Sequence, residues 1–278
     1  MARRDVTLAW TAAASTYLLI VLGAVVRITG SGMGCGDDWP VCHGRLVPSL
    51  ADVATLIEWS HRLVAAIVSI LVAALAVITW WRRRRGDAVG RAGYLALALL
   101  ILQVLLGAVT VKLALPPWSV ILHLGTAMLL LATLIAAAVG RLTPGASPRL
   151  TPGSRPGLVG AALGFVTVLF GALTANLGAA TACVGFPLCN GQLIPAGNYL
   201  QHIHWTHRLL AYGLFVYLVV WAWRTWRRGP ALALGLASVQ IAVAAAMVLL
   251  ALPQSLQAAH AAVGAALWGG LVLVTLDS

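Results

Sequence analysis

Eight stretches of about twenty mostly apolar residues succeed one another along this chain of 278 residues. They run at roughly Leu8–Val26, Leu56–Trp80, Gly93–Val111, Val120–Val139, Leu158–Leu177, Leu200–Trp223, Ala231–Leu250 and Leu256–Leu276. Each can cross the hydrocarbon core of a bilayer as a helix, the form in which every backbone N–H and C=O is satisfied within its own segment. Composition agrees: 61% of residues are hydrophobic and 9% charged, against about 45–50% and about 25% in soluble domains. Too little polar surface remains to coat a globule in water. That excludes a soluble enzyme, a disordered chain and a nucleic-acid-binding domain, despite a net charge of +11. The expected fold is all-α, a polytopic membrane protein with eight transmembrane helices. Arg3 and Arg4 precede the first stretch as in a secretory signal, but the following Arg27-Ile28-Thr29-Gly30 offers no small-x-small cleavage site. The stretch is read as a retained span.

The cations orient these spans. With the N-terminus inside, the inner segments hold Arg3, Arg4, Arg82 to Arg85, Arg91, Arg141, Arg149, Arg155, Arg224, Arg227 and Arg228, most of the 18 Lys and Arg. The outer segments and span ends hold Arg27, Arg45, Arg62, Lys112 and Arg208, with Asp37, Asp38, Asp52 and Glu58. This bias predicts a cell (inner) membrane protein with both termini cytoplasmic and the loops after spans one, three, five and seven outside. Residues 141–156, rich in Pro, Gly, Ser and Thr, read as a cytoplasmic linker between an N-terminal bundle (1–140) and a C-terminal one (157–278). The chain stops within a few residues of the eighth span, so no regulatory tail is expected.

The two halves repeat each other. Gly23-Ala24-Val25 matches Gly171-Ala172-Leu173, and Trp39-Pro40-Val41-Cys42-His43-Gly44-Arg45-Leu46-Val47-Pro48 matches Phe186-Pro187-Leu188-Cys189-Asn190-Gly191-Gln192-Leu193-Ile194-Pro195. Ile57-Glu58-Trp59-Ser60-His61-Arg62-Leu63 matches Ile203-His204-Trp205-Thr206-His207-Arg208-Leu209, and His123 matches His260. Hydropathy does not dictate Cys, Pro, Trp, His and Arg, so a duplication is the better reading. Four spans return the chain to its starting side, so the two four-helix bundles are parallel repeats.

Ionisable side chains inside spans are costly and mark function by default. His61 and His123 each follow the outer start of their helix by one or two turns, as do His207 and His260. Each pair therefore lies at one depth and can face across its bundle, where cofactor sites are built. Paired axial imidazoles are a usual way to hold a haem iron, so one bis-histidine haem site per half is expected. Glu58 shares a helix face with His61, whereas the second half has His204 there. A carboxylate in one half alone suggests proton or cation chemistry in that half; the alternative is an ion pair with Arg62 or Arg27. Arg27, Arg62 and Arg208 are candidate partners for haem propionates. Trp39, Trp59, Trp118 and Trp205 read as interface anchors, and His43 and His202 as solvated or interfacial residues. The four cysteines fall in outer loops, so disulfides Cys35–Cys42 and Cys183–Cys189 are expected on the oxidising side. The second is read as a structural staple, the first as either a staple or a redox-active pair.

Together, Arg27-Ile28-Thr29-Gly30-Ser31-Gly32-Met33-Gly34-Cys35, Asp38-Trp39-Pro40, Glu58-Trp59-Ser60-His61-Arg62, His123, His207 and His260 resemble the eight-span bacterial haem A synthase family. The resemblance covers essentially the whole chain. It implies oxidation of the methyl group of haem O to the formyl group of haem A by successive hydroxylations. It also implies haem B in the second half on His207 and His260, acting as an electron relay, and the substrate haem in the first half near His61, His123 and Glu58. Glu58 would accept a proton or stabilise a developing cation. The implied partners are a haem O synthase that delivers the substrate and the surrounding lipid. His202 and His204 beside His207 leave open which imidazole binds. A di-haem b-type cytochrome passing electrons from quinol is a rival reading, but it gives no reason for Glu58 in one half only. A repeat-built transporter is another, but no helix is broken at the midplane.

Overall fold

The computed structural model describes residues 3–49, 51–84, 91–140 and 154–277. Eight α-helices account for most of them: α1 (Arg3–Ile28), α2 (Val53–Arg84), α3 (Ala92–Lys112), α4 (Pro117–Ala138), α5 (Arg155–Asn176), α6 (Tyr199–Thr225), α7 (Arg228–Leu249) and α8 (Gln254–Asp277). A 3-10 turn at Ala179–Thr181 and two isolated bridges, Cys42 with Arg45 and Cys189 with Gln192, are the other elements among the described residues. Each apolar stretch lies in one helix, and several helices outrun their stretch by about a turn. Arg82, Arg83 and Arg84 extend α2 in this way, because long basic side chains can lie along apolar surface with their charges in water.

Seven of these helices are long and apolar enough to cross a membrane, which makes the chain a multi-pass membrane protein. The exception is α6. Gln201, His202, His204, His207 and Arg208 fill its first three turns, and Arg224 stands near its end, so its hydropathy is diluted where its polar groups concentrate. Of the linker expected at 141–156, residues 141–153, Arg141 and Arg149 among them, lie outside the described residues, as does Arg85.

The chain divides into two units, Met1–Leu150 and Thr151–Ser278. In the first, α1 and α3 each pack against α2 and α4, closing a ring of four helices whose diagonal members keep their backbones apart and meet through side chains alone. In the second, α5 and α7 each pack against α6 and α8 in the same way. The apolar core of each unit follows the histidines along the helices, away from the cysteine loop. Val68, Val72 and Leu75 of α2 meet no solvent there, nor do Met128 and Leu134 of α4. In the second unit Leu214, Leu218 and Trp221 of α6 pack with Ala233 and Ala237 of α7 and Leu267 and Leu271 of α8. An Arg82–Asp5 ion pair ties α1 to α2 at this end. In the second unit the Tyr217 hydroxyl donates to the Pro156 carbonyl at 2.7 Å.

Identical tetrapeptides join the last two helices of each unit, Leu113-Ala114-Leu115-Pro116 and Leu250-Ala251-Leu252-Pro253. Ala114, Leu115, Ala251 and Leu252 all take positive φ, between 55° and 63°, which costs a residue with a Cβ about 1–2 kcal/mol. The Leu115 N–H on Thr110 O at 2.8 Å and the Leu252 N–H on Met247 O at 2.7 Å hold these turns.

Close backbone approach explains one glycine of the first outer loop. A Cβ on Gly34 would be driven into the backbone of Ala54 and stand 2.6 Å from Thr55 N. The Thr55 hydroxyl donates to the Gly34 carbonyl at 2.7 Å, so the loop lies flat on the first turn of α2. Asp52 caps that turn, accepting from Thr55 N at 2.7 Å and from its hydroxyl at 2.9 Å. These bonds hold the Asp52 carboxyl below its usual pKa. The cap therefore contributes fully above the ordinary carboxylate range and is lost as pH falls through the lowered value. Replacing Gly34 with Ala forces backbone against backbone and should destabilise the first unit by about 2 kcal/mol; an unchanged thermal melt of the detergent-solubilised variant would contradict this packing.

Candidate functional site

Each unit carries two histidines, one on its second and one on its fourth helix: His61 and His123, then His207 and His260. The His207 and His260 rings have centroids 6.4 Å apart and stand nearly perpendicular, at 83°. Two imidazoles on opposite sides of one metal ion, each nitrogen about 2 Å from it, place their ring centroids about 6 Å apart. The donor set and the spacing thus fit a bis-imidazole haem iron. His207 Nδ1 lies 3.1 Å from the Thr167 carbonyl on α5, so Nδ1–H donates and Nε2 keeps the lone pair, the arrangement expected of a ligating histidine. Gly171 gives the ring its place, since a Cβ there would stand 2.9 Å from His207 Cε1.

The first unit repeats the small residues but not the hydrogen bond. A Cβ on Gly23 of α1 would stand 3.1 Å from His61 Cε1, and one on Gly107 of α3 would stand 3.1 Å from His123 Cε1. His61 Nδ1 and His123 Nδ1 are buried without a hydrogen-bond partner.

Two glutamines join the histidines, and the sequence reading overlooked both. Gln103 Nε2 on α3 is 3.1 Å from His123 Nε2. Gln240 Nε2 on α7 is 3.1 Å from His260 Nδ1 and 3.3 Å from its Nε2. Each glutamine precedes its histidine by 20 residues, and each is a lone amide in an apolar span. That common register was the available signal.

The remaining candidates gather at the outer loops. Glu58 is 3% exposed; its carboxylate accepts the Cys35 N–H at 2.8 Å and pairs with Arg62. Of the alternatives for Glu58, the ion pair with Arg62 is therefore present. Arg62 also donates to the carbonyls of Asp38 at 2.7 Å and Val41 at 2.6 Å. Arg208 does likewise in the second unit, reaching Leu188 O at 2.7 Å, Gly185 O at 2.9 Å and Cys183 O at 3.0 Å. Both guanidinium groups clamp cysteine loops. Arg27 occupies the last turn of α1.

Both cysteine pairs are joined, Cys35 to Cys42 and Cys183 to Cys189. Trp205, expected at the lipid interface, instead packs against the second disulfide. Apolar cover for the sulfurs outweighs an interfacial position there. His204 is buried with Nδ1 3.0 Å from Ala179 O, and His202 is exposed. His207, and neither of these neighbours, faces His260. His43 is exposed and contacts the Gly34 carbonyl at 2.9 Å.

A family model described as COX15-CtaA, cytochrome oxidase assembly protein, matches residues 6–272. A heme A synthase of Symbiobacterium thermophilum is 35% identical over 291 residues, covering 97% of this chain and 93% of that protein. One from Alkalihalophilus pseudofirmus is 32% identical over 213 residues, covering 74% and 72%. Another, from Shouchella clausii, is 32% identical over 220 residues, covering 76% and 73%.

The clamp makes a direct prediction. Arg208→Ala strands several loop carbonyls at once and should cost about 3 kcal/mol, the scale of leaving buried acceptors unsatisfied. Thiol labelling under mild reductant should then modify Cys183 and Cys189 faster than in the parent, whereas equal labelling rates would contradict the clamp.

Proposed function

The chain belongs to the COX15-CtaA family of cytochrome oxidase assembly proteins, and from that premise we propose that it oxidises the methyl group of haem O to the formyl group of haem A. The observation that carries the reading is the His207–His260 pair at 6.4 Å, together with a carboxylate beside the histidines of the first unit only. Substrate haem O occupies the first unit at His61 and His123. The change from methyl to formyl takes four electrons from the carbon, which must pass to an external acceptor, and runs through two hydroxylations whose diol product loses water to leave the aldehyde.

Glu58 stands three residues before His61, on the same helix face and one turn nearer the loop. Its carboxylate, paired with Arg62, is placed to take up the proton released at the methyl carbon or to stabilise positive charge there. Haem B, held by His207 and His260, supplies an electron relay when bound. The second unit has no carboxylate at the Glu58 position, and His204 there serves the 3-10 turn instead. That suits a site that passes electrons and takes no protons. Arg27, in the last turn of α1, is the cation assigned to a haem propionate.

In this reading α6 also crosses the bilayer, which brings the spans to eight. It is tolerated in the bilayer because its polar face turns to the protein and to the haem. The protein lies in the cell membrane with both termini cytoplasmic. It is built as two duplicated bundles, 1–140 and 157–278, joined by the 141–156 linker, and a haem O synthase delivers the substrate.

Co-expression with a source of haem O, followed by pigment extraction, tests the activity. A formyl haem is expected; haem O recovered unchanged would contradict the function. Glu58→Gln should retain haem B and lower haem A formation by about 100-fold or more, the scale of a positioned proton acceptor. Normal turnover by that variant would remove Glu58 from the chemistry.

A further inference from the structure

The two histidine pairs are held differently, and small residues cause the difference. In the second unit the Gln240 amide does more than touch the His260 ring: its Nε2 also donates to the His260 backbone carbonyl at 3.0 Å. A helix surface admits such a group only where no side chain covers it. Gly264, one turn past His260, supplies that opening, since a Cβ there would stand 3.0 Å from Gln240 Nε2. In the first unit the residue one turn past His123 is Ala127, and Gln103 contacts the His123 ring alone. Conversely, the first unit has Gly107 against the His123 ring, where the matching position of α7 is Ala244. The partner histidines differ in the same sense, with His207 tied to Thr167 O and His61 Nδ1 unpartnered. Gln103 Oε1 and Gln240 Oε1 are both buried without a partner. Each is a ready acceptor for the N–H of an imidazole whose other nitrogen binds iron.

We infer that Gln240 and Gly264 are a positioning pair that fixes His260 for a retained haem, whereas Gln103, which reaches the His123 ring alone, leaves His123 loosely held for a haem that must leave. This rests on the assignment of cofactor and substrate to the two units, and it supplies the reason one haem stays and the other turns over. An imidazole whose ring and backbone are both anchored loses little further freedom on ligation, so its haem dissociates slowly. An imidazole with an unpartnered buried nitrogen keeps freedom to swing away.

The test uses the purified full-length protein carrying its resident haem, with excess apomyoglobin as acceptor and electron paramagnetic resonance of the ferric state as a second readout. Gln240→Leu and Gly264→Ala should each accelerate haem transfer about tenfold or more, the usual effect of losing a partner to a metal-bound histidine. Both should also shift the low-spin g values, which report imidazole orientation and which a merely structural role would leave alone. Gln103→Leu should change neither. Because Gly264→Ala adds one methyl group, it keeps the question open to test should Gln240→Leu fold poorly. Parental transfer rates and g values in both second-unit variants would overturn the inference, as would an equal acceleration by Gln103→Leu. Wild-type protein that retains no haem would instead overturn the underlying assignment of the units.

Discussion

A polar ring buried at membrane depth must have its nitrogens satisfied, because no water is there to do it. The four imidazoles of the two units stand differently against that constraint. His207 hands one nitrogen to the Thr167 carbonyl and faces His260 with the other edge of the site. His61 and His123 keep buried Nδ1 atoms without partners. Glycines on neighbouring helices and glutamines in mid-span lie against these rings, and arginines close the loops beyond them.

Loop closure in both units uses one device. An arginine one residue past the histidine on the second helix reaches up and gathers the carbonyls of the cysteine loop. The position four residues before that arginine differs between the units. In the first unit it is Glu58, which binds the Cys35 amide and pairs with the arginine. In the second it is His204, which binds the Ala179 carbonyl. The two units thus share this loop packing, while an acidic group stands at that position in the first alone.

Much of this was legible in the sequence because it depends on patterns that physics forces into view. Apolar runs of bilayer length must become helices, and all eight did. A histidine in such a run costs too much to be incidental, and the spacing of His207 and His260 follows from their matching depth. Side-chain direction was not legible. Whether Arg62 and Arg208 point at a ligand or at loop carbonyls depends on rotamers that no spacing encodes. Trp205 was misread for the same reason, since an aromatic residue near a span end looks alike whether it faces lipid or a disulfide. Gln103 and Gln240 were missable only because amides draw less notice than charges in an apolar run. Their identical register ahead of His123 and His260 was present in the sequence, as was the repeated Leu-Ala-Leu-Pro turn.

The central claim is that two imidazoles from alternate helices of the second unit share one iron. Magnetic circular dichroism of the purified ferric protein tests it most directly. A low-spin, bis-imidazole signature is predicted in the parent and in His61→Ala, and it should be lost in His207→Ala and in His260→Ala. Retention of that signature after either second-unit histidine is removed would contradict the account.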